Sequence, residues 1–258
     1  MKNKWALITG ASSGIGKELA IIHARKGGNL VLIARREREL QELKDFLIRD
    51  YGIAVCIFPM DLTESGAISK LIRFTEEQGI HVDVLMNNAG FGAFGLFADS
   101  QIARNSNMVD LNIKVLIELT HALIPGMKSR GSGYIFNTAS TAGFLPGPWQ
   151  ATYFATKAFV LSFTEALAYE LKDSGISVTA LCPGPVKTEF EKVAGMEGGK
   201  LFDKAMSAKL TAERGYRAME RKKVIFISDY PLVFPLRFLL PFIPKRWQAA
   251  IISRVQKM

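Results

Sequence analysis

Seven short apolar runs punctuate the chain: Trp5–Ile8, Leu30–Ala34, Ala54–Phe58, Val84–Met86, Tyr134–Asn137, Val178–Cys182 and Val224–Ile227. They are nearly unbroken and rich in Val, Ile, Leu and Phe, the pattern of strands covered on both faces. Between them the apolar period lengthens to that of a helix. Ile15, Leu19 and Ile22 share one face, and Gly27-Gly28 ends that segment. Leu40, Leu43 and Leu47 share another. The segment Gln150–Leu171 places Tyr153, Lys157, Leu161 and Glu165 at successive four-residue steps. Strand-helix alternation of this kind implies right-handed crossovers and an α/β fold, a doubly wound parallel sheet of about seven strands with helices on both faces. There is no linker, repeat or low-complexity stretch, so residues 1–258 read as a single domain.

The end of the chain breaks the pattern. Tyr230–Pro244 is strongly apolar and carries Pro231, Pro235, Pro241 and Pro244. It is too short and too interrupted to cross a bilayer as a helix. Lys245–Met258 then reads as amphipathic, with Trp247, Ile251 and Val255 at four-residue spacing. Residues 229–258 are therefore expected to form an apolar tail. It has three candidate roles: a wall of a large substrate pocket, a subunit contact, or a patch that touches a membrane surface. Lys245 and Arg246 alone are a weak lipid signal, which favours the first two.

Composition narrows the classes. With 48% apolar residues in 258, the chain can bury one sizeable core. Cys56 and Cys182 lie in apolar runs and read as buried thiols of a reducing, cytoplasmic environment, not as a disulfide. Met1–Lys4 lead into a run too short for a signal peptide. His23, His81 and His121 have no ligand spacing, so no metal is expected. The net charge of +9 could attract anions. No basic stripe interleaved with aromatics accompanies it, which counts against nucleic acid. Arg221-Lys222-Lys223 reads as a solvated helix end.

Two constellations carry chemistry. After the first strand comes Thr9-Gly10-Ala11-Ser12-Ser13-Gly14-Ile15-Gly16, a tight turn into a helix. Glycines there let a pyrophosphate approach the backbone, and the helix start adds its positive end. The second strand ends at Ala34 and is followed by Arg35-Arg36, with no acid at its tip. A carboxylate there would hold a ribose diol; guanidinium groups suit a phosphate monoester instead. NADP(H) is therefore favoured over NAD(H), with Arg35 the stronger candidate and Arg36 the weaker. Asp61-Leu62 can meet an adenine ring, or Asp61 can cap a helix. Asn87-Asn88-Ala89-Gly90 can border the adenosine ribose and brace the sheet, or form an ordinary strand-end turn.

At the other end, Tyr153 and Lys157 share a helix face, thirteen residues beyond Ser140. A nearby ammonium is expected to lower the tyrosine pKa, and Ser140 can polarise a carbonyl beside it. Phe91, Phe94, Phe144, Leu145, Pro146 and Trp149 are expected near the pocket mouth. Glu189–Leu210, with Gly195, Gly198 and Gly199, reads as a substrate lid within a lid region of residues 189–223.

Taken together, these motifs resemble the short-chain dehydrogenase/reductase family. They are Thr9-Gly10-x-x-x-Gly14-x-Gly16, Asp61-Leu62, Asn87-Asn88-Ala89-Gly90, Asn112, Ser140, Tyr153-x-x-x-Lys157 and Pro183-Gly184-x-Val186-x-Thr188, in the family's order and spacing. The resemblance implies a Rossmann-like fold and hydride transfer to or from a nicotinamide. It makes Tyr153 the general acid or base and Ser140 the stabiliser of the substrate oxygen. Lys157 would tune Tyr153 and bind ribose, and Asn112 would hold a water in a proton relay. Pro183, Gly184, Val186 and Thr188 would line the nicotinamide side. It also implies a homodimer or homotetramer joined through segments near Asn105–Met127 and Gln150–Leu171. The substrate expected is a lipophilic ketone or aldehyde, with a 3-oxoacyl thioester or a bulky cyclic ketone as examples. The readings from other classes are an NADP-binding scaffold and a peripheral membrane protein acting through its tail.

Overall fold

Seven parallel strands make the central sheet in the order β3-β2-β1-β4-β5-β6-β9. The computed structural model describes residues 1–198, 202–203 and 205–257. Strands β1 (Trp5–Thr9), β2 (Asn29–Ala34) and β3 (Val55–Pro59) run outward in one direction. Strands β4 (Val82–Asn87), β5 (Gly133–Thr138), β6 (Ile176–Cys182) and β9 (Ile225–Ile227) continue in the other. Each of the seven apolar runs became one of these strands. The order reverses between β1 and β4, which opens a crevice at the carboxyl ends of the strands.

The unbroken apolar character of the strands has a direct cause. In β1, Ala6 and Ile8 face one core while Leu7 faces the other. In β2, Leu30 and Leu32 face the first core, and Val31 and Ile33 the second. The first core is closed by α1 (Gly14–Arg25), α2 (Glu37–Tyr51) and α8 (Ala208–Glu220), through Leu19, Leu40, Leu47, Tyr216 and Met219. The second is closed by α3 (Ala67–Glu77), α5 (Val115–Ser129) and α6 (Ala151–Glu170), through Leu71, Leu119 and Leu167. Each buried Leu or Ile contributes about 1.5–3 kcal/mol relative to exposure, so both layers are held strongly.

Local signals set the corners. Gly27, at φ +74°, ends α1, and its N–H donates to the Ala24 carbonyl at 2.8 Å. A Cβ on Gly28 would lie 2.1 Å from the His23 ring, so that position admits no side chain. His23 is fully buried and joins three elements: its Nε2 reaches the Lys4 carbonyl at 2.9 Å and its Nδ1 meets the Tyr216 hydroxyl at 2.7 Å. A carbonyl only accepts, so Nε2 carries the proton and the Tyr216 hydroxyl donates to Nδ1. Between α4 (Ile102–Val109) and α5, residues Asp110–Lys114 form one π-helical turn centred on Asn112.

Beyond β6 the chain forms β7 (Val186–Lys187), α7 (Phe190–Ala194) and β8 (Met206–Ser207) before α8. Gly199, one of the glycines expected in the lid, lies outside the described residues. The tail forms α9 (Tyr230–Phe234), a π and a 3-10 turn through Phe242, and α10 (Lys245–Lys257). Among the described residues no helix is long and apolar enough to cross a membrane. Cys182 is a buried free thiol; Cys56 is also free but only half-buried, because β3 is an edge strand.

Candidate active site

One cavity of about 720 Å³ occupies the crevice at the carboxyl ends of the strands. Its floor is built where each strand stops. Gly10 follows β1, Arg35 follows β2, Asp61 follows β3, Asn88 follows β4, Ser140 follows β5 and Pro183 follows β6. The fold, not sequence proximity, brings these residues together.

At one end, Gly10, Ser12, Ser13, Gly14 and Ile15 line the cavity. Gly10 and Gly14 adopt φ +65° and +55°, a region that favours glycine. The Ser13 side chain does not cap the start of α1 and instead bonds the Glu189 carboxylate, while the positive end of the helix faces the cavity side of the turn. Gly16 does not line the cavity. A Cβ there would stand 2.3 Å from the Gly10 carbonyl oxygen, so this glycine allows the helix to close on the turn behind the site. Asn88 locks the same turn: its amide donates to the Thr9 and Gly10 carbonyls and accepts from the Thr138 hydroxyl. Asn87 braces deeper, donating to Thr120 and Asn137. Ala89 and Gly90 line the cavity beside Asn88.

The two arginines differ. Arg36 is committed: it donates to the Ser12 hydroxyl and makes a forked pair with Glu189, at 3.1 and 2.9 Å. Arg35 is freer, with 78% of its side chain exposed and only a loose 3.7 Å approach to Asp61. Asp61 caps a turn and not a helix, accepting from the Thr63 N–H and hydroxyl. Burial works to raise the Asp61 pKa, but Thr63 and Arg35 outweigh it and hold the carboxyl below its ordinary value. Leu62 lines the cavity next to it.

At the other end, Ser140, Tyr153 and Lys157 converge from β5 and α6. Ser140 is held by the Ala142 N–H at 3.1 Å and also bonds the Tyr153 hydroxyl. Lys157 Nζ donates to the Thr138 carbonyl at 2.8 Å and lies 5.8 Å from the Tyr153 ring centre. The sequence led us to expect a lowered Tyr153 pKa. In the structure, burial pushes it up to about 12, against the Ser140 hydrogen bond. Burial also pushes Lys157 down to about 8. Both groups lie below the general surface, and desolvation of the charged forms exceeds the effect of the ammonium on the phenol.

Asn112 stands behind the cavity. Its amide donates to the Phe91 carbonyl and the Thr156 hydroxyl, and accepts from the Phe91 N–H. It therefore fastens the loop after β4 to α6. A Cβ on Gly90 would lie 2.9 Å from Asn112 Oδ1 and 3.5 Å from Lys157 Nζ, so that glycine lets the three groups close together.

Pro183, Gly184, Val186 and Thr188 line the cavity. Phe91 and Leu145 do too, but Phe144 packs instead into the core below β6, and Phe94 stacks on Trp149 at 6.0 Å. The sequence reading missed several lining residues. Gln150 is 5% exposed, lines the cavity, and its Oε1 has no hydrogen-bond partner among the described residues. Phe190 packs on Tyr153 at 5.2 Å, and Glu189 holds Arg36. Leu232, Leu236, Ile252, Val255 and Gln256 bring the tail into the wall. A pocket wall was one of the three roles that the apolar character of the tail offered, without naming these residues.

A glycine cradle at a helix start, continuous with a Ser-Tyr-Lys cluster at the strand ends, fits a nicotinamide dinucleotide. The short chain dehydrogenase family model matches residues 4–197. The chain belongs to the short-chain dehydrogenase/reductase family. This dehydrogenase/reductase is an NAD(P)-dependent oxidoreductase. It is 33% identical, over 188 residues, to an uncharacterized oxidoreductase of Staphylococcus epidermidis, covering 73% of this chain and 80% of that one. It is also 33% identical over 254 residues to a dehydrogenase/reductase SDR family protein 7-like of Drosophila melanogaster, covering 93% and 78%. Among solved structures, a Sphingobium yanoikuyae short-chain dehydrogenase in complex with NADPH superposes with TM-score 0.83 and 31% identity, covering 97% and 93%. The bulky-bulky ketone specific alcohol dehydrogenase of Comamonas testosteroni gives 0.80 and 28%, covering 98% and 93%. A Burkholderia phymatum family member in complex with NAD gives 0.82 and 26%, covering 92% of each chain.

Proposed function

We propose that the protein is an NADPH-dependent carbonyl reductase, or a secondary-alcohol dehydrogenase in reverse, acting on a lipophilic ketone. The observation that carries this is the continuity of one cavity. It runs from Arg35 past the Ser140, Tyr153 and Lys157 cluster to an apolar wall of Leu232, Leu236, Ile252 and Val255.

When bound, a nicotinamide would supply the hydride, and the protein supplies orientation and charge. Gly10, Ser12, Ser13, Gly14 and Ile15 bind the pyrophosphate, with Gly16 keeping the turn closed. Arg35 meets the 2′-phosphate, helped by Arg36 from its bonds to Ser12 and Glu189. Asp61 and Leu62 would hold the adenine, Asn88, Ala89 and Gly90 would border the ribose, and Pro183, Gly184, Val186 and Thr188 would place the nicotinamide. Tyr153 delivers a proton to the substrate oxygen, which Ser140 polarises. A phenol raised to about 12 is fully protonated at neutral pH, so the proton needed for reduction is present, and giving it up depends on stabilising the phenolate. Lys157, at about 8, still carries its charge there and steadies the phenolate that forms. Asn112 positions α6 against the loop after β4.

Two further observations support the substrate class. The cavity wall opposite Tyr153 is apolar, and the Comamonas relative is specific for bulky ketones. Gln150 Oε1, unpartnered among the described residues, adds one hydrogen-bond acceptor inside that apolar space, suited to a second oxygen on the substrate only where that oxygen is a hydroxyl. The test is cofactor consumption with NADPH and with NADH across ketones of graded size, each with and without a hydroxyl. The reading expects NADPH to be preferred and bulky, hydroxyl-bearing ketones to turn over fastest. Preference for NADH, or for small hydrophilic aldehydes, would overturn it.

A further inference from the structure

The tail has two faces, and only one belongs to the cavity. Leu232, Leu236 and Ile252 point inward. Phe234 and Phe238 point outward at 61% and 59% exposure, and Phe242 at 86%. These three recur at four-residue steps, and the rings of Phe234 and Phe238 lie 5.6 Å apart. On α10, Trp247 and Ile251 extend the outward surface at 60% and 49% exposure. The sequence placed Trp247, Ile251 and Val255 on one apolar stripe. In the structure the stripe divides: Trp247 and Ile251 are turned to solvent, Val255 reaches the cavity wall, and Gln248 occupies the inner side.

The outward face is held rigidly. Gln248 is 2% exposed and donates to the Leu240 and Ile243 carbonyls at 3.0 and 2.8 Å, which locks α10 onto the preceding turn. Trp149 donates to the Ser253 hydroxyl at 3.1 Å and anchors the far side of α10. Exposed aromatic side chains held outward in this way mark an interaction site.

Charge decides the occupant. Residues 230–258 contain Arg237, Lys245, Arg246, Arg254 and Lys257 and no Asp or Glu. A symmetric contact with a second copy would set this basic rim against itself, which is unfavourable. Lys245 and Arg246 alone are a weak lipid signal; outward Phe and Trp side chains in a basic segment without Asp or Glu make a stronger one. Aromatic residues seated at headgroup level among Lys and Arg are what an anionic bilayer surface accepts.

We infer that the outer face of the C-terminal tail docks the protein onto an anionic lipid surface, inserting Phe238, Phe242 and Trp247 at headgroup depth without crossing the bilayer. The test is co-sedimentation of the full chain with phosphatidylcholine–phosphatidylglycerol vesicles and with phosphatidylcholine vesicles alone. The anionic vesicles should bind at least about tenfold more tightly, and salt should weaken the binding. A Phe238→Ser/Phe242→Ser variant should lose it while keeping its melting temperature and dinucleotide affinity. A Lys245→Gln/Arg246→Gln variant, which leaves the apolar face intact, should weaken it and flatten the salt dependence; this variant carries the test if the serine variant does not fold. Absence of binding to anionic vesicles, or binding that none of these substitutions changes, overturns the inference. So does a change of subunit number in the serine variant by light scattering, which would make the face a subunit contact.

Discussion

At the residue scale, the site depends on how burial treats charge. Tyr153 and Lys157 were chosen by spacing, but their proton affinities are set by the walls around them. Desolvation keeps Tyr153 a phenol and brings Lys157 close to neutral pH. Tyr153→Phe removes one hydroxyl and almost no volume. Turnover should fall by a factor on the order of 10²–10⁴, the usual worth of a positioned acid, while dinucleotide binding stays nearly intact. Steady-state rates with a fluorescence titration of the dinucleotide check this; retained turnover would remove the proton-transfer role. Spacing gave access to Tyr153, Lys157 and Ser140 because helix periodicity and strand ends are local properties. Glu189 was not legible because its partner Arg36 is far away in the chain, and Gln150 because only the closed fold makes it part of the cavity wall.

At the element scale, two buried contacts decide how helices sit. Trp149 has φ +71°, a left-handed conformation that costs a bulky residue on the order of 1 kcal/mol. Its stacking on Phe94 and its bond to Ser253 hold that turn and set the angle of α10. His23 binds the chain start, α1 and α8. Burial lowers its pKa from 6.5 to about 4, so the folded protein keeps it neutral while the unfolded chain protonates it. Between pH 6.5 and about 4 the unfolded state binds more protons, and stability falls as pH falls. A difference of this size is worth about 3 kcal/mol, reached near pH 4. Denaturant unfolding across this range should show that loss, and His23→Gln should be less stable at neutral pH but flatter in its pH dependence. An unchanged slope in the variant would assign the acid sensitivity elsewhere.

At the scale of the whole molecule, the tail joins the two ends of the functional argument. Its inner face finishes the cavity begun by the strand ends, and its outer face remains free. α10 supplies Ile252 and Val255 to the distal wall, whereas Ser140, Tyr153 and Lys157 stand on β5 and α6. A chain ending at Pro244 should therefore lose most of its rate on bulky ketones, about tenfold or more by loss of buried apolar contact. Its rate on small aldehydes should change little. Comparing kcat/KM for the two substrate sizes checks this; an equal loss for both would make α10 a support of the fold and not a wall.

The order of strands and helices, the glycine turn and the Ser-Tyr-Lys set were determined by the sequence itself. Each is a matter of local period, backbone freedom or spacing within one element, and these act before any long-range contact forms. Even the two-faced cover of the sheet was legible, since buried parallel strands must be apolar on both sides. The tertiary structure decided the rest. It placed Glu189 on Arg36 and left Arg35 exposed, with only a loose approach to Asp61. It raised the Tyr153 pKa by burial, where proximity to Lys157 had implied the reverse. It turned the Trp247 stripe outward because Gln248 found two carbonyls to bond. Each of these outcomes is a competition among groups distant in sequence, settled by desolvation and hydrogen-bond geometry that exist only once the chain has closed.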